Sequence, residues 1–273
     1  MADRLRAELP RLFGEHPQVA EIAGRSAVLL HGSRTIGIDD ACADWDVWVL
    51  TDDATATTFD RAADARFVQF SDPVGHFQVE AISNLRQRVS ACDFELISEL
   101  RHAQVVADPA GLATELLALL RQPMRDAVRL AWFRYHYVEM RGDHRACDGP
   151  IDRGGNPVAI LIGVAKTLEH ALRAAMILDG EPYRYSKWLT RTAARTATGA
   201  KTVPLVEEAT RLIGRGALEA PGPEAQHPLT LQLRRIRQAL VDAAVAAGID
   251  EPWLGEWWLH IDKARRGTHD VRW

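Results

Sequence analysis

The sequence predicts an α+β protein in which a first part mixing short strands with helices is followed by an all-helical part. Three observations carry that expectation. Short runs rich in Val, Leu and Trp, bounded by Gly, Ser, Asp and Pro, fall within the first hundred or so residues and read as strands. Longer stretches with apolar residues every three or four positions, opened by Pro and followed by Gly, fill the remainder and read as helices. Charge divides in the same place. Residues 1–121 carry 11 Lys+Arg against 19 Asp+Glu, whereas residues 122–273 carry 22 against 18, including all four lysines. A boundary near Arg121 to Pro123 follows, giving domains 1–121 and 122–273.

The elements are expected in this order. Residues 27–31 form a short buried strand, and 45–50 (WDVWVL) a second. Residues 66–70 and 76–82 form a third and fourth, joined by the Ser-Asp-Pro-Val-Gly turn. Residues 92–102 place Phe94, Ile97 and Leu100 at spacing three, a helical period. Val105 and Val106 sit on a last edge strand before Asp108-Pro109. A helix over 124–140 starts behind Pro123 and stops at Gly142. Asn156-Pro157 opens a second long helix, capped by Asn156 and closed by Gly180, with Ile160, Leu161, Val164, Leu168 and Leu172 on its core face. A third covers 230–247, ended by Gly248, after a Gly- and Pro-rich connection over 214–228. Trp253, Trp257 and Trp258 are expected to pack in the core beneath a final helix.

Composition narrows the function. A chain of 273 residues with 47% hydrophobic residues can build a sizeable core. No apolar run approaches the roughly 20 residues of a membrane-spanning helix. The first residues, MADRLRAELPRLF, carry early charges and do not read as a secretory signal. Cys42, Cys92 and Cys147 are scattered and odd in number, which suits a reducing cytoplasm better than a disulfide framework. Net charge is −4 and neither half is strongly basic, which weighs against nucleic acid as a partner. His136, His144 and His170 lack the spacing of zinc ligands.

One stretch carries chemistry: HGSRTIGIDDACADWDVWVL, residues 31–50. Side chains alternate faces along a strand, so Asp44 and Asp46 point the same way, about 7 Å apart by the rise per residue, while Trp45, Val47 and Val49 face the core. Two carboxylates that close repel each other, and a divalent cation removes the repulsion. Mg²⁺ typically takes one or two carboxylates plus phosphate oxygens, so a phosphate site is expected nearby. Gly32-Ser33 meets that need with backbone N–H groups, a hydroxyl and room for close approach. In the strand HFQVEAI, Glu80 alternates with the apolar positions and is the expected third acid, as metal ligand or general base. Asp72 and Asp93 are its rivals. Asp72 suits the turn before Pro73, and Asp93 suits a helix cap. Arg34 can reach phosphate or cover the turn. Arg184, Lys187, Arg191 and Arg195 recur at spacings of three and four, which places four cations along one helical face.

These residues together resemble the nucleotidyltransferase superfamily that includes DNA polymerase β. Its pattern is a hydrophobic residue, Gly, Gly or Ser, some nine to thirteen residues, Asp-x-Asp/Glu, and a later acid. Here it reads Leu30-His31-Gly32-Ser33, ten residues, Asp44-Trp45-Asp46, and Glu80, with His31 in a place that is often apolar. The two-part plan is similar to the antibiotic-modifying branch, which includes aminoglycoside and lincosamide nucleotidyltransferases.

The resemblance implies an N-terminal catalytic domain with a mixed β-sheet flanked by helices, followed by a helical bundle that helps bind nucleotide and substrate. It implies an enzyme that moves a nucleoside monophosphate, AMP from ATP foremost, to a hydroxyl of a small molecule such as an aminoglycoside-like antibiotic, releasing pyrophosphate. Two Mg²⁺ ions would sit on Asp44, Asp46 and Glu80. Gly32, Ser33, Arg34 and Lys187 would hold the nucleotide, Lys187 through its likeness to a Ser/Asp-Lys-Trp segment of that branch. The expected partners are a nucleoside triphosphate and a small hydroxylated acceptor, in a cytoplasmic monomer or homodimer, with no membrane and no nucleic acid. Two other readings stand beside this one: transfer to tRNA or to a protein hydroxyl, and a nucleotide-binding module without turnover.

Overall fold

The structure is a computed structural model that describes residues 2–63 and 67–273. The chain divides into two compact units, 1–123 and 124–273. The first is built on a five-stranded mixed sheet, and the second contains helices and short 3₁₀ turns only among the described residues. The fold class is therefore α+β, as the sequence predicts.

In the first unit, β1 (Ala27–His31), β2 (Trp45–Thr51), β3 (Phe67–Ser71), β4 (Val74–Ala81) and β5 (Gln104–Ala107) lie in the order β3-β4-β2-β1-β5. β1 is antiparallel to both β2 and β5, β3 is antiparallel to β4, and β2 runs parallel to β4. Among the described residues the unit also holds the α-helices α1 (Ala2–Glu15), α2 (Pro17–Ala23), α3 (Asp53–Ala63), α4 (Ile82–Ser90), α5 (Phe94–Arg101) and α6 (Leu112–Leu120). A parallel pair needs a long crossover, and α3 with β3 spans the connection from β2 to β4. Leu5, Leu9 and Leu12 of α1, at helical spacing, bury against Val28, Leu30, Val47, Val49, Phe77 and Val79 of the sheet.

All five residues of β1 are buried, so an uninterrupted apolar run stands where a half-exposed strand would alternate. β5 is the edge strand expected at Val105 and Val106. The third strand starts at Phe67; the position predicted before it, Arg66, lies outside the described residues. The fourth ends at Ala81, because Ile82 begins α4. Asp93 caps α5, accepting from the Leu96 amide at 3.1 Å, which accounts for that rival acid.

The second unit holds α7 (Asp126–Asp152), α8 (Pro157–Leu178), α9 (Ser186–Ala193), α10 (Ala197–Gly214), α11 (Pro228–Ala246) and α12 (Ile261–His269). α7 does not stop at Gly142. Glycine inside a helix costs about 1 kcal/mol, and the buried stripe Met140, His144, Cys147, Ile151 carries the helix past it. α7 and α8 pack against each other, and Gly163 of α8 faces Cys147 of α7 at close range. A β-carbon on Gly163 would stand 2.5 Å from Cys147 Sγ, closer than any ordinary packing contact.

Asn156 caps α8 as expected, accepting from the Val158 and Ala159 amides at 3.1 and 3.3 Å. Within the expected apolar face, Ile160, Val164 and Leu172 are buried, but Leu161 is exposed. The tail divides as well. Trp253 is buried against Phe133 and Tyr137, whereas Trp258 is 56% exposed and sits on a short 3₁₀ turn rather than under a helix. No helix among the described residues is long and apolar enough to cross a membrane.

Candidate metal and phosphate site

Gly32 follows β1 with φ +84°, a conformation open to glycine at little cost. It also lies against Asp46: a β-carbon there would stand 1.9 Å from Asp46 Oδ2. The Gly-Ser turn and the acid pair therefore meet in one place, because β1 and β2 are adjacent and His31 pairs with Asp46 in their register. Ser33 is buried and begins a one-turn 3₁₀ helix, Ser33–Ile36. The Thr35 hydroxyl donates to Gly32 O at 2.9 Å, tightening the turn. His31 is buried and stacks on Trp48, ring centroids 4.1 Å apart.

Asp46 lies in β2 and Asp44 just ahead of it, with side chains 21% and 49% exposed. Their neighbour across the parallel pairing is His76, directly opposite Asp46 on β4. His76 Nδ1 lies 3.7 Å from Asp46 Oδ1 and 4.0 Å from Asp44 Oδ2. One ligand atom from each of Asp44, Asp46 and His76 falls within 4.8 Å of the others, a spacing that fits a single cation.

Glu80 does not join them. The register pairs it with Leu50, four residues beyond Asp46, about 13 Å along the strand. It is buried, and Oε1 accepts from Asn84 Nδ2 at 2.8 Å and from the Ala81 amide at 3.2 Å. A carboxylate at the start of α4 is favoured by the unsatisfied amides of that helix end. Glu80 anchors the strand-to-helix junction, and the group level with the two aspartates is His76.

Arg34 is turned away from a phosphate role and onto its own loop. Its Nε donates to Asp44 O at 2.9 Å and its Nη2 to Ala43 O, while the guanidinium lies over Trp45, 5.6 Å from the ring centroid. A further contact to Asp39 at 3.7 Å completes the strap. Arg34 thus holds the ten-residue connection in the shape that brings Asp44 beside Asp46.

The four-cation face does not form as expected. Arg184 precedes α9 and is 1% exposed, and Arg195 follows the helix in a turn, so only Lys187 and Arg191 stand on α9 itself. Lys187 is exposed, with Nζ 4.8 Å from the Trp188 ring centroid, and Arg191 lies over the same ring.

The site offers two carboxylates and one imidazole beside a glycine turn without a β-carbon. Carboxylates suit Mg²⁺, Ca²⁺ and Mn²⁺, while imidazole favours metals later in the first row. A mixed set of this kind fits a divalent cation and suits Mn²⁺ at least as well as Mg²⁺. His76 is the residue that sequence reasoning missed. It stands two positions before Gln78 and four before Glu80, on the same face of the strand, so the alternation pointed to the right face but not to the right rung.

No family model matches the chain, and no curated protein matches it. Among solved structures it is similar to a nucleotidyltransferase-like protein from Exiguobacterium sibiricum 255-15, with 11% identity over 95% of this chain and 80% of that one, and a TM-score of 0.48. A likeness at that level assigns no function.

Proposed function

We propose that the first unit carries out nucleotidyl transfer, moving a nucleoside monophosphate from a triphosphate to a hydroxyl of a small acceptor. The observation that supports this reading most is the contact of Gly32 with the Asp46 carboxylate, which joins a phosphate-type turn to an acid pair at the spacing of the nucleotidyltransferase pattern. Asp44, Asp46 and His76 would hold the cation. When bound, it supplies positive charge to the phosphates and acidifies a hydroxyl placed beside it.

The remaining work falls to the chain. The Gly32-Ser33 turn receives phosphate oxygens, and the absence of a β-carbon lets the backbone approach them. Arg34 keeps the loop closed behind Asp44. Lys187, an exposed cation, is assigned to the β and γ phosphates on its sequence likeness. The acceptor hydroxyl attacks the α phosphorus in line and gives up its proton to water, a P–O bond forms to it, the α–β anhydride bond breaks, and pyrophosphate leaves. Positioning supplies much of the rate. Within this reading ATP is the expected donor, and the acid-rich first unit favours a cationic acceptor such as an aminoglycoside.

A second reading is favoured by one observation. With Glu80 about 13 Å along the strand from Asp46, no third carboxylate joins Asp44, Asp46 and His76 among the described residues, and a binding module without turnover needs none. Calorimetry with a non-hydrolysable ATP analogue, with and without Mg²⁺ or Mn²⁺, tests both readings at once. Metal-dependent binding is expected under either. Pyrophosphate release from ATP in the presence of a panel of hydroxylated amines distinguishes transfer from binding alone. Absence of metal-dependent nucleotide binding overturns both.

A further inference from the structure

The second unit contains a cavity of about 480 Å³, within the range of small-molecule sites. Its wall carries four guanidiniums, from Arg141 and Arg145 on α7 and Arg234 and Arg237 on α11, and two indoles, Trp257 and Trp258. Two acids and one histidine complete it: Asp148, Glu224 and His144.

Two of the four arginines are matched. Arg234 Nη2 contacts Glu224 Oε1 at 2.6 Å, and Arg145 Nη1 contacts Asp148 Oδ2 at 3.4 Å. Arg141 and Arg237 have no carboxylate within 4.0 Å among the described residues. Arg141 lies over the Trp257 ring, 5.8 Å from its centroid. Its Nε is buried with no hydrogen-bond partner, as is His144 Nε2. Burial and the nearby Arg237 charge both hold the Arg141 guanidinium below its ordinary value. Burial and the surrounding arginines push His144 down to about 4, so it adds no charge near neutrality. The cavity therefore holds two positive charges in excess, partly desolvated, against a flat aromatic wall.

We propose that this cavity binds a small oxyanion, a phosphate monoester or carboxylate carried on a planar ring. Arg141 and Arg237 take the anion and Trp257 and Trp258 take the ring. Guanidiniums present paired N–H donors that match planar oxyanions, and relief of the Arg141–Arg237 repulsion adds to the attraction. The exposed Trp258 and half-buried Trp257 form the kind of surface on which a flat ring stacks. The charge excludes a cationic occupant, so this ligand differs from the cationic acceptor favoured for the first unit. The inference does not depend on nucleotidyl transfer.

Calorimetry on the full chain with phenyl phosphate as probe tests it. Saturable one-site binding is expected. Arg237→Gln should weaken it at least fivefold, Arg237→Lys should restore part of that loss, and Trp258→Ala should weaken it severalfold with an unchanged melting temperature. Asp46→Asn should leave it intact, which separates this site from the one in the first unit. Benzamidine, the cationic counterpart, should not displace phenyl phosphate. The proposal is overturned if phenyl phosphate shows no saturable binding, if Arg237→Gln weakens it less than fivefold while the protein stays folded, or if benzamidine displaces phenyl phosphate.

Discussion

The two units place their charged groups in opposite ways. In the first, acids gather beside a glycine turn at the end of a β-sheet, with Asp44, Asp46 and His76 converging on one point. In the second, basic groups gather between helices, with Arg141 and Arg237 facing a cavity and matched by too few carboxylates. One arrangement calls for a cation and the other for an anion. Each concentrates like charges that would repel if nothing bound, and this is how a binding site differs from an ordinary solvated surface. The difference also lies in how each site is held. Strand register fixes the acids rung by rung, whereas the arginines depend on the packing of α7 against its neighbours.

The largest expected effects fall on the acid site. Asp46→Asn should lower transfer activity on the order of a thousandfold, since it removes a charge that holds the cation. Gly32→Ala should be comparably damaging, because the new β-carbon meets Asp46 Oδ2 at 1.9 Å and the backbone must keep φ +84°. Steady-state pyrophosphate release measures both, and near-wild-type rates would remove the acid site from the chemistry. Glu80→Gln, by contrast, should change the rate less than about threefold, because the amide oxygen can still accept from Asn84.

In the second unit, Gly163→Ala should destabilise the protein by about 2 kcal/mol through overpacking against Cys147. Thermal unfolding checks it, with catalytic parameters at low temperature expected to stay close to wild type.

Acid should separate the units further. Burial foremost holds His136, His144 and His170 below 6.5 in the folded state, joined by His170 and Arg173 at His136, by the surrounding arginines at His144, and by Arg173 and Lys166 at His170. The unfolded chain then binds more protons as pH falls from about 7, so the stability these groups provide is complete above 6.5 and is lost toward pH 4. Asp148 works the other way. Burial and Glu224 push it up to about 6, so its protonation favours the folded state below that pH. Burial raises Asp143 on the same helix as well, and three histidines against two aspartates still give a net loss. Hydrogen exchange at pH 7.5 and 5 should show amide protection falling more in α7 and α8 than in the sheet of the first unit, and a uniform fall would contradict this.

The smallest effect is on the arginine-rich cavity. Asp148 there is faced by Arg141, His144 and Arg145 on its own helix, by Arg234 and Arg237 on α11, by Glu224, and by the two indoles. Protonating it removes one negative charge while His144 stays neutral. Benzenesulfonate, whose charge is constant over this range, should bind about two- to fivefold tighter at pH 5 than at pH 8.

Much of the fold was legible because it rests on local chemistry. Asn156-Pro157 opens α8 by a side-chain cap and a fixed φ, and four apolar residues in a row, Ala27 to Leu30, mark β1 as buried on both faces. The acid pair was legible because period-two alternation is a property of any strand. What failed was non-local. The parallel register of β2 against β4 decides that His76, not Glu80, lies beside Asp46, and no residue within β4 announces which rung is level with the acids. Arg184 matched a helical spacing but lies ahead of the helix, and Gly142 looked like a stop signal that the buried stripe of α7 overrides.

Manganese binding in the presence of ATP, read by electron paramagnetic resonance, tests most directly whether Asp44, Asp46 and His76 form the metal site. Wild type and Glu80→Gln are expected to bind with the same affinity, while Asp46→Asn and His76→Ala lose at least tenfold. Loss of binding in Glu80→Gln, or retention in Asp46→Asn, would contradict that assignment.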